Sequence, residues 1–314
     1  MGGHYTAGVR WIFLVLGFLS FSGSAQEAPG WFAQSLLDIP EEVAEAARQG
    51  KRVMLYFGQP GCPYCKQLME VNFRQRPIAE RMQRDFVSIE LSIWGDREMT
   101  WTRGTATTEK KLAQDLRVQY TPTLLFLDEK GRIALRMNGY YLPQRFMAAL
   151  DGKTPKTEGA GPALAHEPFF LSTTDLRRKK PLAVLFETPY CAECDELHRM
   201  VLAHPAVRAQ LAQYDVARFS PAQKDILITP RGAKMSAAAW AEALGIGYVP
   251  SLVLFDAGGI ERLRLEAYFR PFHVAGSLEY VSGGAWQHEP SFQRWLQSKG
   301  DDMRRRGAAP DLWN

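Results

Sequence analysis

Cysteine is scarce in this sequence, and no cysteine stands alone. The 314 residues include only four cysteines, and all four belong to two Cys-x-x-Cys motifs, Cys62-Pro63-Tyr64-Cys65 and Cys191-Ala192-Glu193-Cys194. The sequence has no recognisable Ser-His-Asp set or nucleotide-binding loop, and its ten methionines are scattered without a metal-binding cluster. The two dithiols are therefore the only concentrated chemistry in the chain.

Neither positive nor negative charge is in marked excess. The chain has 38 basic and 34 acidic residues, which gives a net charge of +4, and no basic stripe runs along it. This mild balance argues against a nucleic-acid partner.

Long apolar runs are also rare, and the one at the start of the chain predicts export. Residues 11–21 are apolar, follow Arg10 and precede Gly23-Ser24-Ala25, so residues 1–25 have the pattern of a cleaved signal peptide. The run is too short to cross a bilayer comfortably, although an uncleaved membrane anchor remains the alternative. No cysteine follows the run, which excludes a bacterial lipoprotein.

The rest of the chain repeats itself. Tyr120 and Pro122 recur 128 positions later as Tyr248 and Pro250, whereas the first cysteines, Cys62 and Cys191, lie 129 positions apart. A single inserted loop residue explains the difference, so the sequence predicts two copies of one fold. We assign residues 26–150 to domain 1, 151–165 to a linker, 166–298 to domain 2 and 299–314 to a polar, solvated tail.

Both motifs lie where an apolar strand gives way to a helix. Residues 52–57 precede the first motif and residues 182–186 the second, and a helical pattern follows each. The free N–H groups at a helix start favour a thiolate over a thiol, and the thiolate is the attacking species in disulfide exchange. The spacing therefore predicts two redox-active pairs.

Both copies resemble the thioredoxin superfamily in the order of their elements. This order is strand, Cys-x-x-Cys, helix, strand, helix, Tyr-x-Pro, strand, turn, strand, helix. This implies an α/β protein of two tandem thioredoxin-like domains, each with a central mixed sheet flanked by helices. Domain 1 resembles the SoxW-type periplasmic thioredoxins associated with sulfur oxidation, and domain 2 is a divergent thioredoxin-like repeat. The segments that carry the SoxW resemblance are residues 56–66, 71–73, 93–96 and 120–123.

The resemblance also implies roles and partners. Cys62 would be the attacking thiol and Cys65 the resolving thiol, and Pro122 a cis-proline facing Cys62. Cys191, Cys194 and Pro250 are the matching residues of domain 2. Tyr64, Thr121 and Val249 would contact the substrate. The family further implies disulfide reduction in the periplasm without a cofactor, with electrons from a membrane thiol transporter of the CcdA/DsbD type.

The sequence departs from the family at two positions. Thioredoxins usually have a buried carboxylate six residues before the first cysteine and a tryptophan directly before it. Domain 1 has Tyr56 and Gly61 there, and domain 2 has Leu185 and Tyr190. Another base or water must then take the proton of the resolving thiol.

Domain 2 has an acidic motif. Glu193, Asp195 and Glu196 would disfavour a thiolate at Cys191, so we expect Cys62, with Lys66 nearby, to be the more acidic thiol. A structural disulfide is the alternative for Cys191 and Cys194. Zinc bound with His198 is a weaker alternative because no fourth ligand lies at a usual spacing, and a lone helical histidine is typical of a surface position. A c-type haem is excluded because histidine does not follow either motif.

Three function classes follow from the sequence. The favoured one is an exported dithiol reductase that acts on protein disulfides. An oxidase or isomerase differs from it only in reduction potential, which a sequence does not determine. A non-catalytic scaffold with two partner-binding domains is the third class.

Overall fold

The computed structural model describes residues 28–152, 167–267 and 269–308. Domain 1 begins with one helix and then alternates strands and helices. Its elements are α1 (Ile39–Arg48), β1 (Arg52–Gly58), α2 (Pro63–Gln67), α3 (Arg76–Asp85), β2 (Phe86–Ser92), β3 (Glu98–Trp101), β4 (Thr105–Thr108), α4 (Glu109–Asp115), β5 (Thr123–Leu127), β6 (Ile133–Asn138) and α5 (Pro143–Leu150).

Domain 2 repeats this order from its first strand onward. Its elements are β7 (Leu182–Phe186), α6 (Ala192–Glu196), α7 (Pro205–Leu211), β8 (Asp215–Phe219), β9 (Ile226–Ile228), β10 (Lys234–Ser236), α8 (Ala237–Ala243), β11 (Ser251–Phe255), β12 (Glu261–Glu266), α9 (Pro271–Ser282) and α10 (Phe292–Arg305). A π-helical turn continues α2 at Leu68–Asn72 and α6 at Leu197–Leu202.

Each domain has a four-stranded mixed sheet. The strand order is β2-β1-β5-β6 in domain 1 and β8-β7-β11-β12 in domain 2, and only β1/β2 and β7/β8 pair in parallel within these sheets. Helices pack on both faces, so the central strands are buried and read as continuous apolar runs rather than alternating ones. This confirms the predicted α/β fold with two thioredoxin-like copies.

One element pair was not found from the sequence, and one prediction needs correction. Each domain contains a two-stranded hairpin, β3/β4 in domain 1 and β9/β10 in domain 2. The predicted start of a solvated tail at residue 299 falls inside α10, which continues to Arg305. Its apolar residues Phe292 and Leu296 are buried, and this packing extends the helix into the polar sequence.

Residues 1–27, 153–166, 268 and 309–314 lie outside the described residues. They include the predicted signal peptide at 1–25, nearly all of the predicted linker at 151–165 and the last residues of the predicted tail. No helix in the described parts of the chain has the length and apolar character needed to cross a membrane.

The two domains share one apolar core. Side chains of β1 alternate between two clusters, with Leu55 on one face of the sheet and Met54 on the other. The Met54 cluster continues into domain 2 and includes Leu185 of β7, so one face of each sheet contributes to a common interior. The domains are therefore packed against each other instead of being independent modules on a linker.

The contact between the domains follows an approximate two-fold symmetry. The edge strands β6 and β12 meet where Asn138 Nδ2 donates to Glu266 Oε2 at 2.6 Å, and these two residues occupy matching positions in the repeat. Tyr141 packs on Tyr248 with ring centroids 4.5 Å apart. The symmetric contact joins Phe269 and Tyr120 at 4.8 Å. Helices α5 and α9, which match in the repeat, each lie against the motif of the other domain.

Candidate active site

Each cysteine pair forms a disulfide at the start of a short helix. Cys62 Sγ accepts a hydrogen bond from Cys65 N at 3.0 Å, and Cys191 Sγ accepts one from Cys194 N at 3.1 Å, so each first cysteine caps its helix. Cys65 and Cys194 are each only 1% exposed, and the first cysteines, Cys62 and Cys191, are also buried at 7% and 2%. The predicted strand, turn and helix start is confirmed at both motifs.

The predicted cis-prolines are also confirmed. Both Thr121-Pro122 and Val249-Pro250 are cis peptide bonds, and the Thr121 carbonyl oxygen lies 3.4 Å from Cys62 Sγ. Thr121 and Val249, predicted to contact substrate, are only 5% and 6% exposed in this arrangement. The fold thus places the loop before each cis-proline at the motif face.

Domain 2 covers part of the first motif. Tyr64, between the two cysteines, is only 6% exposed, and its hydroxyl accepts a hydrogen bond from Arg270 N at 3.0 Å. The His273 ring packs on Tyr64 with centroids 5.2 Å apart. Tyr64, predicted to contact substrate, therefore contacts the other domain in this arrangement.

His273 was not found from the sequence. It lines a cavity of about 470 Å³ together with Cys62 and Trp94. Its buried Nδ1 has no hydrogen-bond partner among the described residues, and burial lowers the pKa of His273 to about 4. A neutral imidazole therefore lies in the cavity next to the first dithiol.

Domain 1 covers part of the second motif in the symmetric way. Arg145 of α5, which matches His273 in the repeat, donates from Nε and Nη2 to the two carboxylate oxygens of Glu193 at 2.9 and 3.0 Å. Burial favours the neutral acid, but the hydrogen bonds and charge of Arg145 outweigh it, and the pKa of Glu193 is lowered. Glu193 Oε2 lies 3.9 Å from Cys191 Sγ.

This ion pair changes the electrostatic argument for Cys191. From the sequence we expected Glu193 to repel a thiolate at Cys191, but an arginine from the other domain offsets that carboxylate charge. The expected ranking of Cys62 above Cys191 in acidity therefore loses its main basis and remains a prediction. Arg145 was missed because it lies 48 positions from its partner.

A buried polar network lies behind the second motif. His198 Nε2 is 2.9 Å from Glu187 Oε1, and His198 Nδ1 is 3.3 Å from Glu167 Oε1. Glu187 is fully buried and His198 is 6% exposed, so the expected surface position of His198 is wrong. The sequence signal was Glu187 itself, a charged residue directly after an apolar strand run.

The first domain has no counterpart of this network. The matching positions hold Gly58 and Met69, and a side chain at Gly58 would clash with the Tyr56 hydroxyl. Tyr56 is buried, and this burial raises its pKa, so it is not a substitute for the missing carboxylate.

No group of three or more metal-ligating side chains in the described part of the chain is placed to hold a metal ion.

The two motifs face a common cavity. Tyr64 and Gln67 from the first motif region, and the matching Glu193 and Glu196 from the second, line a space of about 180 Å³ between the domains. The structure therefore places Tyr64 and Glu193, which lie between the two cysteines of their motifs, at one shared cavity, although none of the four cysteines lines it.

Comparison with known proteins agrees with this geometry. A model of the family described as thioredoxin-like domain matches residues 39–153 and again residues 173–282. The chain belongs to this family. The match covers each dithiol and each cis-proline once.

Similar solved structures align with about one domain of this chain. A thioredoxin-fold protein from Helicobacter pylori has 15% identity and a TM-score of 0.38, covering 41% of this chain and 88% of its own. A Thermus thermophilus thioredoxin has 28% identity and a TM-score of 0.30, with coverage of 37% and 83%. A putative disulphide isomerase from Bacteroides thetaiotaomicron has 23% and 0.31, with coverage of 40% and 98%. No curated protein sequence matches the chain.

Proposed function

We propose that this thioredoxin-like protein is an exported thiol-disulfide oxidoreductase that reduces disulfides of partner proteins in the periplasm. The observation that carries the proposal is the pairing of a helix-capping cysteine with a cis-proline loop, found once in each domain. Candidate partners are proteins of sulfur oxidation or cytochrome maturation. No cofactor takes part, since the electrons reside in the cysteine pairs.

The proposed exchange has two steps. The Cys62 thiolate attacks a partner disulfide, a mixed disulfide forms, and one partner sulfur leaves as a thiolate that takes a proton. Cys65 then loses its proton and attacks Cys62 Sγ, which releases the second partner thiolate and leaves the Cys62-Cys65 disulfide. The partner has gained two electrons and two protons. A membrane thiol transporter of the CcdA/DsbD type would return the pair to its dithiol form.

The Cys191-Cys194 pair would act as a redox partner of the Cys62-Cys65 pair, either by accepting its electrons or by storing them. Alternatively, domain 2 would bind the substrate protein for domain 1. Its support is that Tyr64 of the first motif and Glu193 of the second line one cavity between the domains. Measured reduction potentials of the two pairs would separate this reductase from an oxidase, because a strongly negative value at Cys62-Cys65 favours reduction.

The test of the proposal is insulin-disulfide reduction by the purified protein. We expect Cys62→Ser to abolish activity and Cys191→Ser, the matched variant in domain 2, to reduce it only in part. If Cys62→Ser retains most of the activity while Cys191→Ser loses it, the chemistry belongs to domain 2. Absence of activity in the reduced wild-type protein would instead favour the non-catalytic scaffold.

A further inference from the structure

Helix α9 of domain 2 brings a histidine to the first redox site. His273, in the first turn of this helix, lines the same cavity of about 470 Å³ as Cys62. Of the other described residues that line this cavity, only Arg304 is ionisable, and a guanidinium has no acceptor for a further proton. The rest are glycine, proline, leucine, phenylalanine, tryptophan and glutamine, which take up no proton at neutral pH. Within the described part of the chain, His273 is therefore the one group in the cavity that can accept a proton from Cys62.

The His273 ring has an unused hydrogen-bonding atom. Its Nδ1 is buried, and the described residues give it no partner. Buried polar side-chain atoms nearly always have a hydrogen-bond partner, so an unpaired one beside a reactive pair indicates a role in the reaction or a bound water. Among the described residues that line the cavity there is also no carboxylate to pair with an imidazolium. Burial therefore lowers the pKa of His273 to about 4, and the ring is neutral at pH 7.

Contacts with domain 1 hold His273 in place. The Ser277 hydroxyl donates to the His273 carbonyl oxygen at 2.7 Å, and the same hydroxyl bonds to the Tyr120 hydroxyl at 2.8 Å. Tyr120 belongs to the Tyr-x-Pro segment of domain 1, so this bond ties the first turns of α9 to the loop that faces Cys62. The His273 ring packs on Tyr64, which lies between the two cysteines of the first motif. Both the backbone and the ring of His273 are thus positioned against the first redox site.

The matching residue of domain 1 cannot accept a proton. Arg145 stands 128 positions before His273, and it is paired with Glu193 of the second motif. An arginine side chain has no acceptor atom and stays protonated in proteins. The two dithiols therefore differ in what the other domain supplies, a neutral imidazole at the first and a guanidinium at the second.

We propose that His273 of domain 2 is the proton acceptor for the Cys62 thiol of domain 1. This inference rests on the proposed function, since it adds a residue to the first step of that exchange. The Cys62 thiol gives its proton to the imidazole, and its sulfur attacks the partner disulfide. A bond forms between Cys62 Sγ and one partner sulfur, and the other partner sulfur leaves with both electrons of the broken S–S bond. The imidazolium then gives its proton to this leaving thiolate.

The charges around His273 suit both transfers. The cavity has room for water, so the proton can pass between Cys62 and His273 directly or through one water molecule. A thiolate at Cys62 would pair with the imidazolium, so the pKa of His273 rises as the thiol loses its proton and falls again once the mixed disulfide removes the negative charge. The other titratable groups that face His273 are Tyr64 and Arg304, and Arg270 lies three positions before it. A phenol and a guanidinium ordinarily keep one protonation state between pH 5 and 8, so the imidazole is the group that exchanges the proton.

The test is the rate at which iodoacetamide alkylates Cys62 in the reduced full-length protein, measured against pH by mass spectrometry of the Cys62 peptide. In the wild type the rate should change by less than about threefold between pH 6 and 8, because the imidazole takes the proton throughout this range. In His273→Gln, whose amide stays neutral, the rate should rise about tenfold per pH unit, as for an ordinary thiol below its pKa. At pH 6 the variant should react about tenfold or more slower than the wild type.

Two controls separate proton transfer from packing. His288→Gln, at an exposed histidine, should keep the wild-type profile, and Cys191 should be alkylated equally fast in His273→Gln and the wild type, which shows that the fold is intact. His273→Ala leaves space for a free imidazole molecule, so added imidazole should restore the Cys62 rate at pH 6. The same imidazole should not restore it in His273→Gln, whose side chain occupies that space.

The outcomes distinguish this assignment from the proposed function. A wild-type Cys62 rate that itself rises about tenfold per pH unit would overturn the assignment even if insulin is reduced, and this measurement needs no variant to fold. A His273→Gln profile equal to that of the wild type, or no rescue of His273→Ala by imidazole, would overturn it as well. Alkylation of Cys62 that depends on His273, without any insulin reduction, would instead refute the proposed function and leave the proton acceptor assigned.

Discussion

Arg145 sets the charge beside the second dithiol. It is buried, belongs to domain 1, and neutralises a carboxylate that lies 3.9 Å from Cys191 Sγ in domain 2. The acidity of a thiol depends on such neighbouring charges, because a negative group disfavours the thiolate and a positive group favours it. The reactivity of Cys191 is therefore coupled to a residue on the other domain.

We predict that Arg145→Gln slows alkylation of Cys191 in the reduced protein about threefold at pH 7. The unpaired Glu193 carboxylate then disfavours the thiolate and raises the thiol pKa, whereas Glu193→Gln should speed alkylation. The measurement is alkylation rate against pH, peptide by peptide, by mass spectrometry. Arg199→Gln, an exposed arginine on the same helical segment, is the control and should change nothing. Equal rates at Cys191 in all three variants would show that the ion pair does not tune this thiol.

His198 gives domain 2 a pH-dependent contribution to stability. Burial disfavours its charged form, but the hydrogen bonds and charges of Glu187 and Glu167 outweigh burial and raise its pKa above the ordinary 6.5. Because the folded pKa is raised, the stabilisation is fully present below about pH 6.5 and is lost as the pH rises through the folded value.

We predict that His198→Gln lowers the free energy of unfolding by about 2 kcal/mol at pH 6 and by less at pH 8.5. Urea denaturation at the two pH values, with both disulfides oxidised, measures the difference. His288→Gln, at an exposed histidine, should have no effect at either pH. A loss of the same size at both pH values would mean that folding does not raise the pKa of His198.

The elements of the fold were predictable because their signals are local. Apolar runs, helix starts at the cysteines and Tyr-x-Pro spacing each lie within a few residues, so the two thioredoxin-like copies follow from the sequence. The contacts between the domains beside the two motifs were not predictable, because their partners lie far apart in the sequence. Arg145 and Glu193 are 48 positions apart, and Gln59 and Gln293 are 234 apart. The buried face of α10 was also missed, because most residues near the end of the chain are polar.

The helix α10 belongs to the core of the molecule. Phe292, at its first turn, is fully buried between Tyr120 of domain 1 and Tyr280 of α9, with ring centroids 5.2 and 5.3 Å away. The helix therefore holds its first turn against Gln119 of domain 1, where Phe292 N donates to Gln119 Oε1 and Gln293 Nε2 to the Gln119 carbonyl oxygen.

We predict that Phe292→Ala lowers the free energy of unfolding by about 3–5 kcal/mol, the usual cost of emptying a fully buried phenylalanine site. Urea denaturation followed by circular dichroism provides the value. Ser298→Ala, on an exposed position of the same helix, should stay within about 0.5 kcal/mol of the wild type. A loss below about 1 kcal/mol for Phe292→Ala would return α10 to the status of a loosely attached tail.

At the scale of the whole molecule, the common apolar core joins the two domains into one cooperative unit. Met54 and Leu185, from the two sheets, belong to the same cluster, and Tyr248 of domain 2 packs on Tyr141 of domain 1. Unfolding of one domain alone would expose apolar side chains of the other domain to water. We therefore expect the two domains to unfold together.

We predict that both domains unfold at the same urea concentration. Hydrogen exchange of peptides from β5 and β11, the strands that follow the two cis-prolines, should show one transition, and Tyr248→Ala should lower its midpoint equally in both strands. Ile226→Ala, at an exposed residue of the β9/β10 hairpin, is the control and should leave both midpoints in place. A domain 1 strand that keeps its protection after domain 2 has unfolded would contradict this.

The reciprocal placement of helices α5 and α9 has an evolutionary consequence. An arrangement in which each copy lends the same helix to the other is the arrangement of an isologous homodimer. In a homodimer, any substitution appears in both dithiol sites at once because the two chains have the same sequence. In a single chain with two copies, a substitution can change one dithiol site and leave the other as it was. One chain with two copies can thus keep a tyrosine in one motif and a glutamate in the other, so that its two dithiols differ within one symmetric arrangement.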